Sequence, residues 1–281
     1  MWDKVKALLK RSRDCLLYGI PSMQEIEWGG QNIVVYPGTI RSRPDYDDAW
    51  FYELARESQV IYDVGANVGF NAILAMLASP EAKVLLIEPN PAALSIAAMN
   101  MIYNGWAHRV RFVCAFAGAS DGEKLRFWTV GAGAAGSLFP SHAHTAFRKG
   151  FSFMVETVTL DTLALQFGLV PDLVKIDVEG AESLVLEGSK RLAKENGPQF
   201  LVEMHHQEEL PMLENARRIL QWCQEVGYRA YYLKEHVVLE NPDQIAHRGR
   251  CHLLLLPEGQ AYPNGLREIP QGAPVFSEQK Q

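Results

Sequence analysis

What this 281-residue chain lacks narrows its function at once. It has no basic surplus: 27 Lys and Arg stand against 33 Asp and Glu, a formal charge of -6, too acidic for a broad phosphate-binding face, so no nucleic-acid partner is expected. Cysteines are few (Cys15, Cys114, Cys223 and Cys251) and none forms a Cys-x-x-Cys pair. That excludes the usual zinc frameworks and a disulfide scaffold, and points to buried thiols in a reducing compartment. No apolar run approaches the roughly eighteen residues a membrane span needs. The charged first thirteen residues lack a sustained apolar stretch, so no secretory leader is read and a cytoplasmic protein is expected. What remains is ordinary: 48% hydrophobic and 21% charged residues, enough to bury a large core without staples.

Periodicity divides the chain into a segment at 1–58, a main domain at 59–257 and a tail at 258–281. Residues 2–19 carry Trp2, Val5, Leu8, Leu9, Leu16 and Leu17 at helical spacing, with Lys and Arg largely off that stripe. This predicts an amphipathic helix that either caps the domain or makes weak contact with an anionic membrane surface. Residues 32–36 read as a short strand and 47–56 as a helix. From Gln59 strands and helices alternate, the signature of a parallel sheet with helices on both faces. The strands expected are 60–63, 83–87, 110–114, 173–176 and 200–204; the helices are 70–78, 91–103, one beginning at 181–186, and 212–226. Asn90-Pro91 caps the second helix and Asn104-Gly105 stops it. Residues 229–233 and 251–255 read as a closing strand pair. Between 115 and 160 the rhythm breaks. Asp121-Gly122 suggests an inserted hairpin between Phe116 and Phe127, and 131–136 with 142–150 read as mobile loop, a candidate lid carrying His142 and His144. The tail after Pro257, rich in Pro, Gly and Gln, is expected to pack loosely.

Three strand ends carry the chemistry. Asp63-Val64-Gly65-Ala66-Asn67-Val68-Gly69 joins a strand to a helix, and its glycines allow a tight turn and close ligand approach. The spacing is Gly-x-x-x-Gly and not the pyrophosphate grip Gly-x-Gly-x-x-Gly, which favours a ligand without phosphates whose ammonium end Asp63 could accept. Glu88, closing the next strand, stands where a carboxylate accepts ribose hydroxyls. Lys175-Ile176-Asp177-Val178-Glu179-Gly180-Ala181-Glu182 ends the fourth strand, so Asp177 and Glu179 should face the same crevice as Asp63 and Glu88, while Glu182 could simply favour a helix N-terminus. Glu203 and His205 close the fifth strand at that edge, with His206 on the other face.

The motifs at 63–69, Glu-Pro-Asn-Pro at 88–91 and Lys-Ile-Asp-Val-Glu-Gly-Ala-Glu at 175–182 together resemble the FkbM-type methyltransferase family, over about residues 59–205. The resemblance implies a Rossmann-like class I methyltransferase fold with S-adenosylmethionine (SAM) as methyl donor, and O-methylation of a sugar or small natural product. It implies that the turn of Asp63, Gly65, Asn67, Val68, Gly69 and Phe70 holds the methionine portion, that Glu88 and Pro89 meet the ribose, and that Ala115 and Phe116 border the adenine. Ser137-Leu138 loosely matches a small-residue-Ser-Leu element of that family.

An aliphatic hydroxyl attacks a methyl group only as its proton leaves. Asp177 is the first candidate to bind or deprotonate the acceptor and His205 the second, with His142 and His144 behind them. A divalent ion held by Asp177, Glu203 and His205 is weighed, but spacing alone identifies no ligand set and none is assigned. Two other readings stand beside catalysis: a non-catalytic SAM-binding partner protein, and an NAD(P)-dependent oxidoreductase, disfavoured by the missing phosphate fingerprint. The expected partner is a small-molecule or glycan acceptor; self-association is left open.

Overall fold

The structure, a computed structural model, describes residues 22–131, 136–139 and 143–276. The helix expected at 2–19 lies outside the described residues, as does His142. The chain enters through an antiparallel hairpin, β1 (Gln24–Trp28) and β2 (Gln31–Val35), the first of which the alternation had not revealed. Helix α1 (Asp48–Arg56) leads into β3 (Val60–Val64), α2 (Phe70–Ala78), β4 (Lys83–Ile87), α3 (Pro91–Tyr103) and β5 (Val110–Val113). Helix α3 starts as expected, with the Asn90 side chain accepting from Ala92 N and Pro91 in the first turn, where no amide partner is needed.

An insertion follows, made of β6 (Phe116–Ala117), β7 (Lys124–Trp128), α4 (His144–Lys149) and β8 (Ser152–Val158). The alternating pattern then resumes with α5 (Leu160–Phe167), β9 (Leu173–Ile176), α6 (Glu182–Glu187), α7 (Lys190–Asn196), β10 (Gln199–His205) and α8 (Met212–Val226). The chain closes with β11 (Tyr228–Tyr232), β12 (Val237–Val238) and β13 (Arg250–Pro257).

The main sheet has the order β12-β11-β13-β10-β9-β3-β4-β5. Strands β5, β4, β3, β9 and β10 run parallel, and β13 lies antiparallel between β10 and β11. From β3 the chain moves outward to β5, then returns to lay β9 on the other side of β3. That change of direction opens a crevice at the carboxyl ends of β3 and β9, where Gly65 and Asp177 stand.

The two faces of the sheet bury different cores. Tyr62, Val64, Ile176 and Val202 pack under α5, α6 and α8, whereas Ile61, Leu86, Leu173, Leu201 and Leu254 pack under α1, α2 and α3. Because successive strand residues alternate, Asp63, Lys175, Glu203, His205 and His252 continue the second set toward the carboxyl edge. A row of ionisable groups thus lies under the N-terminal side of α1.

Three expectations are corrected. Phe116 and Phe127 do not pair as a hairpin, since β8 runs between their strands in the order β6-β8-β7. The Asp121 carboxylate serves as an acceptor for Thr159 N and Thr162 Oγ1, tying the 121–122 turn to the start of α5. Residues 144–149 form α4 rather than loop, stabilised by burial of Ala146 and by an edge contact of Phe147 with Trp128. The tail is not loose as far as residue 276. Leu266 is fully buried, Trp50 Nε1 donates to Ile269 O at 2.8 Å, and the Phe276 ring meets Trp28 and Tyr52. Composition suggested loose packing there, but a few apolar residues anchored on α1 suffice.

Leu266→Ala should therefore cost about 2–5 kcal/mol, as for a core leucine, when measured by urea unfolding. A loss below about 0.5 kcal/mol would identify the tail as a surface attachment.

Candidate active site

Gly65, with φ +83, turns the chain so that its N–H and that of Ala66 both donate to Ile87 O. A Cβ at Gly65 would overlap the Asp177 carbonyl, so this glycine is required by the approach of two strand tips. Gly69 has another duty: its Cβ would press on Ala97 of α3 at 2.9 Å, so it permits helix packing and does not line the site. Asp63 is buried at 1% exposure, beside Asn71. Glu88 is buried as well, and its oxygens accept from Asn67 N at 2.9 Å and Asn90 N at 2.8 Å. Each oxygen keeps a lone pair for a ligand.

These turns border a hollow, open to solvent, lined by Gly65, Asn67, Val68, Phe70, Glu88, Pro89, Phe116 and Asp177 among the residues singled out above. Asp63, Gly69, Ala115 and His205 are not on its wall. Arg41 and Glu179 are, and Arg41 lies over the Phe70 ring at 4.4 Å. Glu179 adopts φ +55, a conformation costly for a side-chain-bearing residue. Its carbonyl is clamped by Ser137 Oγ at 3.0 Å and Gln207 Nε2 at 3.2 Å.

Below the hollow lies a charge network. Lys175, 1% exposed, places Nζ 2.6 Å from Asp47 Oδ2 and 3.3 Å from Glu203 Oε2. Glu203 Oε1 also meets an Arg250 guanidinium nitrogen at 2.9 Å, and Arg250 reaches Asp45 at 2.7 Å. His205 has Nδ1 3.0 Å from Glu182 Oε1 and Nε2 3.3 Å from Glu179 Oε2. Glu182 does more than favour a helix start: it is fully buried and also accepts from Gly180 N and Asn215 Nδ2.

Burial raises Asp63 to about 6, with Lys175 opposing it, and raises Glu88 to about 7 against the two backbone donors. Burial and the neighbouring Glu203 hold Asp177 well above the carboxylate range. Burial works against the charge of Glu203 too, yet Lys175 and the two histidines outweigh it and keep it ionised. His205 also pays for burial, but Glu182 and Glu203 raise it to about 11.

A family model described as the methyltransferase FkbM domain matches residues 63–230, well over half of the chain. The chain belongs to the FkbM methyltransferase family. Comparison with curated proteins finds no match. Among solved structures, similarity is found to the methyltransferase FkbM of Methylobacillus flagellatus KT, at 15% identity and TM-score 0.45. That alignment covers 70% of this chain but only 43% of the other, so the chain spans less than half that protein's length. M. jannaschii TYW2 in complex with AdoMet is similar at 15% identity and TM-score 0.45, with 85% and 86% of the two chains covered. A Bacillus cereus O-methyltransferase in complex with SAH is similar at 13% identity and TM-score 0.44, covering 78% and 82%. The family assignment rests on the model match alone.

Sequence reasoning about this FkbM-family chain missed Asp47, Arg41, Arg250 and His252. One signal was available: Lys175 sits in a Leu-Val-Lys-Ile strand buried throughout, and a lysine there needs buried carboxylates. Nothing in the sequence says that Asp47, 128 positions away, is one of them.

Glu88 releases its proton near 7 when folded, against an ordinary 4.5, so the folded state binds more protons between those values. Stability from this group is lost as pH rises from about 4.5 to 7, by about 3 kcal/mol, and then levels off. Urea unfolding at pH 5 and pH 8 should show a loss about 3 kcal/mol smaller in Glu88→Gln than in the wild type, the remainder coming from Asp63 and Asp177. Equal pH slopes for the two proteins would refute the burial argument.

Proposed function

We propose that this FkbM-family methyltransferase transfers the methyl group of SAM to a hydroxyl of a sugar or small natural product. The supporting observation is that Asp177, with a buried and unpaired Oδ1, lines the same hollow as Gly65 and Glu88. A donor-binding wall and a proton-accepting group thus share one space.

The residues suit the donor. Glu88 retains acceptor capacity for a ribose diol, and the Asp63 carboxylate offers negative charge behind the turn for an ammonium group. Phe116 and Pro89 give apolar surface for a base. SAM supplies an electrophilic methyl on a positively charged sulfur, so the protein's task is alignment and proton removal.

Asp177 is assigned the proton. Burial and Glu203 raise its carboxyl well above the carboxylate range, and a positive charge beside it favours ionisation, so a cationic donor would favour its acting as a base. As the acceptor oxygen forms its bond to carbon and the carbon–sulfur bond breaks, the hydroxyl proton passes to Asp177. His205, with carboxylates at both ring nitrogens, is assigned the role of a fixed positive charge that positions Glu179 and Glu203.

Calorimetry should show S-adenosylhomocysteine binding and no NAD binding; the reverse would sink the donor assignment. Asp177→Asn should keep that affinity and lose about 10²–10⁴-fold in turnover with any hydroxyl acceptor. Unchanged turnover would remove Asp177 from the mechanism. Gly65→Val should abolish S-adenosylhomocysteine binding by forcing the β3 and β9 tips apart, and tight binding by that variant would contradict the role of the turn.

A further inference from the structure

The row of ionisable groups contains two sets of side chains whose spacing would suit a divalent ion: Asp47, Glu203 and His252, and Asp177, Glu203 and His205, each with ligand atoms within 4.8 Å of one another. Both sets already hold positive charge. In the first, Lys175 Nζ lies 2.6 Å from Asp47 Oδ2 and 3.3 Å from Glu203 Oε2. A metal ion binds such oxygens at about 2.0–2.6 Å, so it would have to occupy the ammonium's place or press directly against it. His252, 1% exposed, faces Glu203 Oε2 at 3.6 Å and the other Asp47 oxygen, Oδ1, at 3.8 Å.

In the second set, His205 has a carboxylate oxygen at each nitrogen: Glu182 at Nδ1, and Glu179 at 3.3 Å and Glu203 at 3.5 Å from Nε2. A ring that donates from both nitrogens is an imidazolium and has no lone pair to give a metal. Glu203 Oε1 is also engaged by Arg250.

We infer that Lys175 is the resident cation of this active site: its ammonium, with the imidazolium of His205, takes the positions a divalent ion would hold and fixes Asp47 and Glu203 beneath the hollow, so that transfer runs without a metal. Lys175 is a positioning residue, since it does not line the hollow. The inference deepens the methyltransferase reading, on whose chemistry its last clause rests. Its test needs no donor or acceptor, so the two fail separately.

Wild type and Lys175→Ala, both stripped with chelator, are titrated with Mn²⁺ and followed by the paramagnetic resonance of free Mn²⁺ and by thermal melting. The wild type should leave the free signal unchanged. Lys175→Ala should melt roughly 10 °C lower, because two carboxylates lose their buried partner. It should take up one equivalent of Mn²⁺ on Asp47, Glu203 and His252, with its melting point partly restored. Propylammonium, which replaces the atoms removed beyond Cβ, should restore it and compete with Mn²⁺. Lys175→Met, which fills the space without charge, should melt lower and bind no Mn²⁺. A purely structural lysine would give lower melting in both variants and no metal uptake in either, and that result overturns the inference. Stoichiometric Mn²⁺ binding by the wild type overturns it too, and is decisive even if Lys175→Ala does not fold.

Discussion

One buried ion pair sets the relation between the N-terminal segment and the sheet. Lys175 rises from the middle of the sheet and meets Asp47 immediately before α1. A charged lysine cannot remain in that interior without its carboxylates, and removing either partner leaves a buried group without its counter-charge. The pair therefore fixes where α1 begins. Trp50 and Phe51 follow on that helix, and Trp50 in turn receives the C-terminal segment through its bond to Ile269 O. A contact between residues far apart in sequence thus aligns α1 against the sheet and, through Trp50, the segment around Ile269 against α1.

Such a network is a poor way to add stability. Desolvating several ions costs several kcal/mol each, and well-packed apolar side chains in the same volume often do as well or better. What it provides is a fixed arrangement of charge. Glu203 is bonded on one oxygen by Lys175 and on the other by Arg250, so its orientation has little freedom, and the neighbouring Asp177 is left with the unpaired oxygen. The positive charges of Lys175, Arg250 and His205 offset part of the surrounding negative charge, which lets several acids share a small volume, with Asp177 held well above the carboxylate range.

Much of the parallel sheet was legible because its signals are local. Apolar strands, the Asn90-Pro91 cap and the strand-end motifs each speak within a few residues, and the strand ends at Gly65, Glu88 and Asp177 do meet at one hollow. The insertion was misread because its pairing is not local: β8 intervenes between β6 and β7 from more than twenty residues downstream, and no turn signal reports that. The tail was misread because composition weighs every residue equally, whereas a few of its residues, Tyr262, Leu266, Ile269 and Phe276 among them, carry its packing. Gly69 shows a subtler limit. A glycine in a ligand turn suggests ligand contact, but here the missing side chain makes room for Ala97.

The segment from Lys175 to Gly180 shows how a short run can hold a site together. Along the strand, Ile176 and Val178 join the core beneath α6 and α8, which leaves Lys175 and Asp177 on the opposite face. Continued alternation would carry residue 179 away along the strand direction. Instead the backbone turns left-handed at Glu179 and again at Gly180, φ +55 and +107, and brings the Glu179 side chain back to the hollow and to His205. Glycine would adopt the first of those conformations without strain, so a glutamate there, with its carbonyl held by Ser137 and Gln207, keeps its place through what the carboxylate does. The clamp also explains the position of Ser137: fully buried, it joins the insertion to the turn that follows Asp177, the residue proposed to take the proton, so a shift of either segment is felt by the other.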